Sequence, residues 1–392
     1  MSKLFDRRIS QIFALLAASF AWAQTENYSV GEFVHREVDY ASAIDGFEIT
    51  RVNTLNFDPH QSFERGVAKQ TGWEWDFETR ASPAYSILQS NNIISMGRVM
   101  PLNWGATNRK FNAERGYFYQ YDWNLNTPVL EGTLTDLQTG TQLTFIEQDY
   151  YDGYRAMLLK SRRFRDGRSF SYTYNPDPTV VYTWCPDVTI KHDQSGASIV
   201  VRRVDAYDLS SQSQPHCLPQ QVTLPNGVDK ITYNWLMYQV DSIRTFPILT
   251  SVTYPDLSTK TYEYIANSHD NGAPLLPTVR PGLSSVIDEE GQRLVTYEWS
   301  NKKVVAVYNG ATSSPKNRIS LVENSSSVRT VTDADNIART VKMVEWERQV
   351  GPVGVPPVKF KRFGGMSSPC QWCDTDSKDI KYNLSGLITE VT

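Results

Sequence analysis

Past its first two dozen residues the chain is written in alternation. Ser171-Tyr172-Thr173-Tyr174, Val180-Val181-Tyr182-Thr183-Trp184, Ala197-Ser198-Ile199-Val200-Val201, Lys302 to Tyr308 and Val328 to Thr332 are β-branched or aromatic runs of strand length. A period of two places every second side chain on one face, as a half-buried strand requires. Helical periodicity is nearly absent beside this alternation. The runs are bounded by Gly, Asn, Asp and Pro, so the pattern predicts an all-β fold of consecutive antiparallel hairpins. Residues 208–219, 267–282 and 351–369 are Ser/Pro/Gln-rich or Pro/Gly-rich and read as loops.

Four segments share one grammar of turn and aromatic pair. Arg165-Asp166-Gly167-Arg168 leads to Tyr172 and Tyr174, and Leu224-Pro225-Asn226-Gly227 leads to Tyr233 and Trp235. Tyr254-Pro255-Asp256-Leu257 leads to Tyr262 and Tyr264, and Glu289-Glu290-Gly291-Gln292 leads to Tyr297 and Trp299. From the turn residue to the first Tyr the interval is five or six residues. Asx-Gly tolerates the positive φ of a tight turn. Two aromatics at i and i+2 then share a face of the returning strand. One such hairpin is too small to bury that face alone, so the units are expected to cohere as one sheet.

The N-terminus changes the picture of where the protein works. Lys3, Arg7 and Arg8 precede an apolar run from Ile12 to Ala18, and Ala21-Trp22-Ala23 forms an A-x-A cleavage site ahead of Gln24. This order of parts predicts a secretory signal peptide over residues 1–23, cut between Ala23 and Gln24. The expected location is secreted, periplasmic or at the cell surface. The apolar run is too short to span a bilayer, so no stable membrane insertion is expected. In an oxidising compartment the four cysteines read first as disulfides. Four cysteines allow three connectivities. Local pairing is expected, Cys185 with Cys217 and Cys370 with Cys373.

Composition removes other classes. The 392 residues include 10 Trp, 21 Tyr and 16 Phe, too many large apolar side chains for a disordered chain. A formal net charge of −4 without a Lys/Arg block argues against nucleic acid as a partner. Candidate chemistry is sparse. Asp149, Asp152, Asp166, Glu289 and Glu290 could supply the paired carboxylates of a glycosidase, but spacing alone does not bring two of them together. The five histidines are scattered, and no H-E-x-x-H, G-x-S-x-G or phosphate-loop pattern occurs. The expectation is a non-enzymatic protein without a cofactor. Exposed Tyr and Trp stacking on sugar rings would make it a carbohydrate-binding or adhesion protein, with glycans as partners.

The segments at 252–264, 283–299, 328–341 and 380–392 resemble Rhs/YD repeats, the match being strongest over 248–300 and again at 380–392, where Tyr382 stands in the repeat position. Leu257 replaces the turn glycine, and no copy keeps a full Tyr-Asp dipeptide. The resemblance implies a curved sheet of stacked hairpins, a partial shell, over 164–392. A Trp/Phe-rich β region over 24–163 would precede it. It also implies a fragment of a longer polymorphic toxin or cell-surface protein, with further repeat segments or another protein chain as partners.

Overall fold

The computed structural model describes residues 34–42, 44–54, 72–82, 91–95, 98–102, 119–124, 131–136, 139–149, 155–176, 185–205, 217–239, 245–265, 281–300, 303–324, 328–332, 335–336, 338–348, 358–367, 380–382 and 388–391. The described secondary structure is β-strand apart from one short 3-10 turn, Asp76–Glu78. The strands are β1 (Val34–Ala41), β2 (Glu48–Thr54), β3 (Trp73–Trp75), β4 (Arg80–Ser82), β5 (Asn91–Ser95), β6 (Arg98–Leu102), β7 (Tyr119–Asn124), β8 (Glu131–Asp136) and β9 (Gln142–Asp149). Next come β10 (Arg155–Arg163), β11 (Ser169–Asn175), β12 (Asp187–His192), β13 (Ser198–Asp205), β14 (Cys217–Thr223), β15 (Lys230–Gln239), β16 (Thr245–Thr253), β17 (Thr259–Ile265) and β18 (Gly282–Ile287). The series ends with β19 (Arg293–Ser300), β20 (Lys303–Asn309), β21 (Lys316–Glu323), β22 (Val328–Thr332), β23 (Ala338–Arg348), β24 (Val358–Ser367), β25 (Ile380–Tyr382) and β26 (Ile388–Val391).

From β10 to β24 each strand pairs antiparallel with the next, a fifteen-strand meander. On its other side β10 pairs with β9 along Arg155–Arg163, and β9 continues to β8 and β7. The edge of β10 that meets β11 at Ser161–Arg163 also meets β4 at Met157 and Leu158, so the sheet forks there into β4, β5 and β6. Among the described residues no pairing joins β24 to β4 or β6 to β7, and the sheet is not closed into a barrel. A separate three-stranded antiparallel sheet, β1-β2-β3, and the hairpin β25–β26 complete the strands.

From β8 to β22 the connections that leave an even strand are uniform. Residues 137–141, 164–168, 193–197, 224–229, 254–258, 288–292, 310–315 and 333–337 are each five or six long. Those that leave an odd strand range from 301–302 to 266–281. In an antiparallel meander the two sets lie on opposite margins. The tight set is built by local bonds. Gly167 N–H donates to Phe164 O, Gly227 to Leu224, Leu257 to Tyr254 and Gly291 to Asp288, at 2.9 to 3.1 Å. Each donor residue has positive φ, and Leu257 does so at 70° despite its Cβ.

All three stretches that composition marks as loops reach into strands, Gly282 of 267–282 being the first residue of β18. Cys217–Pro219 open β14, and Val358–Ser367 is β24. Proline and glycine mislead here because both sit beside bulges, where the ladder needs one bond fewer. Pro219 precedes the unpaired Gln220, and Gly364 is itself the unpaired residue of β24. Cys185 and Cys217 form a disulfide that ties the approach to β12 to the start of β14 across β13. Cys370 and Cys373 lie outside the described residues.

Burial follows the period of two. Phe170, Tyr172 and Tyr174 of β11, Val188 and Ile190 of β12, Ile199 and Val201 of β13 and Ile231 and Tyr233 of β15 are buried on one face. Against that face lie Phe47, Ile49, Trp73, Trp75 and Phe77 in one continuous core cluster. The small sheet therefore covers the inner face of the large one. Trp73 and Trp75 have no exposed surface. Each buries on the order of 200 Å², worth up to roughly 5 kcal/mol at about 25 cal/mol per Å².

Candidate functional site

The densest polar chemistry lies between the two sheets. On β1 the alternate residues His35, Glu37 and Asp39 are buried, while Val38 between them is 45% exposed. A bulge at Asp39 shifts the register of β1 against β2. Arg51 stands at the centre of β2, next to β3 in the ladder, and is fully buried. Its Nε donates to both oxygens of Asp39, at 3.1 and 2.8 Å, and its Nη2 binds Glu37 and the Tyr262 hydroxyl. The guanidinium carbon lies 4.3 Å from the Trp73 ring centroid and 4.9 Å from that of Tyr262, a stacked environment suited to Arg.

The first aromatics of three repeat units reach this cluster from the large sheet. Tyr233 donates its hydroxyl to Asp39 Oδ2 at 2.8 Å, and Tyr262 donates to Glu37 Oε2 at 2.7 Å. The Tyr297 hydroxyl pairs with His35 Nδ1 at 2.6 Å, and His35 Nε2 lies 3.1 Å from Glu37 Oε1. Tyr254, immediately before its turn, adds a bond to Asp39 Oδ1 at 3.1 Å. Successive hairpins thus present hydroxyls in step with successive inward positions of β1. Tyr172 of the first unit stands apart. It is buried with Arg162 and Asp76 in its electrostatic surroundings, and burial pushes its phenol up to about 12.

Electrostatics make the cluster a fastening. Burial pushes Glu37 up, but Arg51, Lys260 and His35 more than offset this and hold its carboxyl well below the usual range. Burial likewise lowers Arg51, and Asp39 and Glu37 reverse the sign, so it stays charged. The phenols of Tyr233, Tyr254 and Tyr262 are pushed well above 10, first by burial and then by the adjacent carboxylates, although Arg51 opposes the shift. At neutral pH these tyrosines are donors rather than acids or nucleophiles. Opposite charges meet here with each carboxylate oxygen of Glu37 and Asp39 hydrogen-bonded, as buried ions require, while Arg51 Nη1 is buried without a hydrogen-bond partner among the described residues. Among the described residues no group of three or more His, Cys, Asp and Glu is placed to hold a metal ion.

The second aromatic of each pair has a different task. Tyr174 donates to Leu159 O, Trp235 Nε1 to Pro219 O, Tyr264 to Leu249 O and Trp299 Nε1 to Leu283 O, at 2.7 to 2.8 Å. Each acceptor belongs to the preceding strand and stands just before a bulged residue, Lys160, Gln220, Thr250 or Ser284. A bulge disrupts the ladder and leaves a backbone group to be paired elsewhere. In all four units the aromatic of the returning strand supplies that partner. Gly282 belongs to this arrangement: a Cβ there would stand 2.6 Å from the Trp299 ring.

Tyr262, Tyr264, Tyr297 and Trp299 lie in one sheet, on β17 and β19, with β18 between. Tyr382 lies on β25. Ala23 and Gln24 fall outside the described residues. Sequence reasoning missed His35, Glu37, Asp39, Arg51 and Tyr254 as one constellation. The alternation of His35-Arg36-Glu37-Val38-Asp39 was a signal, but a polar strand face reads as a solvent face until its aromatic counterpart is known. Compared with known proteins, the chain matches no family model, and no curated protein is similar to it.

Proposed function

We propose that the chain is an exported, non-enzymatic protein of the Rhs/YD-repeat kind, a partial β-shell that forms the structural part of a longer toxin or cell-surface assembly. The observation that carries this reading is the fourfold unit of bulge, tight turn and aromatic pair within one sheet. Such a unit builds a wall by addition, each returning strand supplying the bond that the bulged strand before its turn lacks. The buried cluster at His35, Glu37, Asp39 and Arg51 anchors the small sheet to the inner side of that wall. The basic, apolar and A-x-A order of residues 1–23 and the Cys185–Cys217 disulfide support export to an oxidising compartment. The repeat aromatics favour a wall over a sugar platform: Tyr172, Tyr174, Tyr233, Tyr262 and Tyr297 are at most 7% exposed, and stacking on a sugar needs a free ring face.

The test is expression of the full chain with its own N-terminus in a bacterial host, followed by fractionation and intact mass. The expected product is periplasmic or extracellular, begins at Gln24, and binds no member of a glycan array. A cytosolic product of full length would overturn export. Glycan binding abolished by Trp or Tyr substitution would replace the wall reading with the carbohydrate one.

A further inference from the structure

The outer face of the large sheet, turned away from the small one, is open to solvent at Thr173, Asn234 and Thr261 but closed over β18 to β20. Ser285, Thr296 and Tyr308 stand opposite one another there and are 0%, 6% and 1% exposed. The connection 310–315 folds back onto this row. Gly310 N–H donates to Arg293 O at 3.1 Å, Thr296 Oγ1 to Gly310 O at 2.7 Å and the Tyr308 hydroxyl to Thr312 Oγ1 at 3.0 Å. Beside it lies a cleft of about 680 Å³, within the usual size of a small-molecule site. Glu263 and Ile265 of β17, Arg293 and Glu298 of β19, Tyr308 of β20 and Thr312 are among the residues that line it.

The lining has mostly spent its donors. The hydroxyls of Tyr264, Tyr297, Thr296 and Tyr308, which all border the cleft, are bonded to Leu249 O, His35 Nδ1, Gly310 O and Thr312 Oγ1. Arg293 Nη2 lies 2.7 Å from Glu263 Oε2, which also accepts from Ser285 Oγ at 2.7 Å. Arg318 Nη2 donates to Glu298 Oε2 at 2.8 Å. The Oε1 atom of each glutamate accepts no bond among the described residues. What the cleft offers a ligand is therefore acceptors, two carboxylates against one guanidinium. The two glutamates stand on strands separated by β18, roughly 10 Å apart by strand spacing. We propose that this cleft binds a linear aliphatic diamine, one ammonium on Glu263 Oε1 and the other on Glu298 Oε1, with the methylene chain against Ile265. An ammonium carries three donors and no acceptor, the complement of such a lining, and keeps its charge at neutral pH.

The test is isothermal titration of the full chain with putrescine and with butylamine, which has the same carbon stem and a single ammonium. Putrescine is expected to bind at least fivefold more tightly than butylamine and to weaken as salt rises. Its affinity is expected to fall at least fivefold in Glu263→Gln and in Glu298→Gln. Asp166→Asn, which removes an exposed carboxylate elsewhere on the surface, is expected to leave it unchanged. Glu263 also holds the buried Ser285 hydroxyl, so Glu263→Gln is read together with its unfolding midpoint. Glu298 pairs only with Arg318, itself 44% exposed, and Glu298→Gln carries the test if that midpoint falls. No saturable binding of putrescine at millimolar concentration overturns the site. Equal affinity for the two amines overturns the bridge between the glutamates. An equal loss in Asp166→Asn shows a general attraction of cations to the surface and overturns the site as well.

Discussion

Replacing Arg51 by Met keeps most of the side-chain volume and removes the cation that two buried carboxylates share. Arg51 has no exposed surface, and the side chains of Glu37 and Asp39 are 6% and 0% exposed. Lys260 remains 3.8 Å from Glu37, but it is 28% exposed and screened. Removing one partner of a buried ion pair costs about 3–5 kcal/mol, because the other charge stays desolvated. The pH dependence also changes sign. In the unaltered protein Glu37 is held below its unfolded value, so its contribution is present above about pH 4.5 and is lost as pH falls through the folded pKa. Without Arg51, burial dominates and raises the Glu37 pKa above its unfolded value, so the variant is penalised as pH rises above about 4.5. Urea unfolding followed by Trp fluorescence at pH 5 and pH 7 measures both effects. The expected loss is about 3–5 kcal/mol at pH 7 and visibly smaller at pH 5. Adding Glu37→Gln should recover part of the loss at pH 7. A loss below about 1 kcal/mol, or an equal loss at both pH values, would refute the claim that Arg51 neutralises the interface.

Leu257→Gly should stabilise the protein by roughly 0.5–1 kcal/mol, since Leu257 is 82% exposed at φ 70° and gives up little packing; a lower midpoint in thermal unfolding would contradict the turn assignment. Gly282→Ala should cost about 1–3 kcal/mol and shift Trp emission, because the new Cβ meets the Trp299 ring; an unchanged spectrum and midpoint would show that the ring is not fixed there. Paired Cys185→Ser and Cys217→Ser substitutions release a link with a sequence separation of 32 and should lower stability by roughly 4 kcal/mol, read as a lower urea midpoint at constant slope.

The alternation of Ser171 to Tyr174 and the Asx-Gly turns were enough to read the hairpins, because strand period and turn chemistry are local. The latch was half legible. Aromatics two apart mark the donor, but nothing in the spacing marks Leu159 or Leu283 as an acceptor, because a bulge depends on which strand lies opposite. The charged cluster was hidden for a related reason. Glu37 and Tyr262 are 225 residues apart, and their bond exists only once two sheets are stacked. Val358 to Ser367 reads as a loop because Gly364, Gly365 and the preceding prolines weigh against a strand, whereas pairing with β23 outweighs that local preference.

Between β8 and β24 the contrast between the uniform connections after even strands and the variable ones after odd strands separates two kinds of evolutionary freedom. Where five or six residues must reverse the chain and seat an aromatic opposite a released carbonyl, an added residue would turn the following side chains to the wrong face. On the other margin length carries little energetic penalty, since doubling a flexible loop costs only about 0.6 kcal/mol. Novel recognition elements, affinity tags or grafted epitopes therefore belong on that second margin, where they can be exchanged without renegotiating the wall.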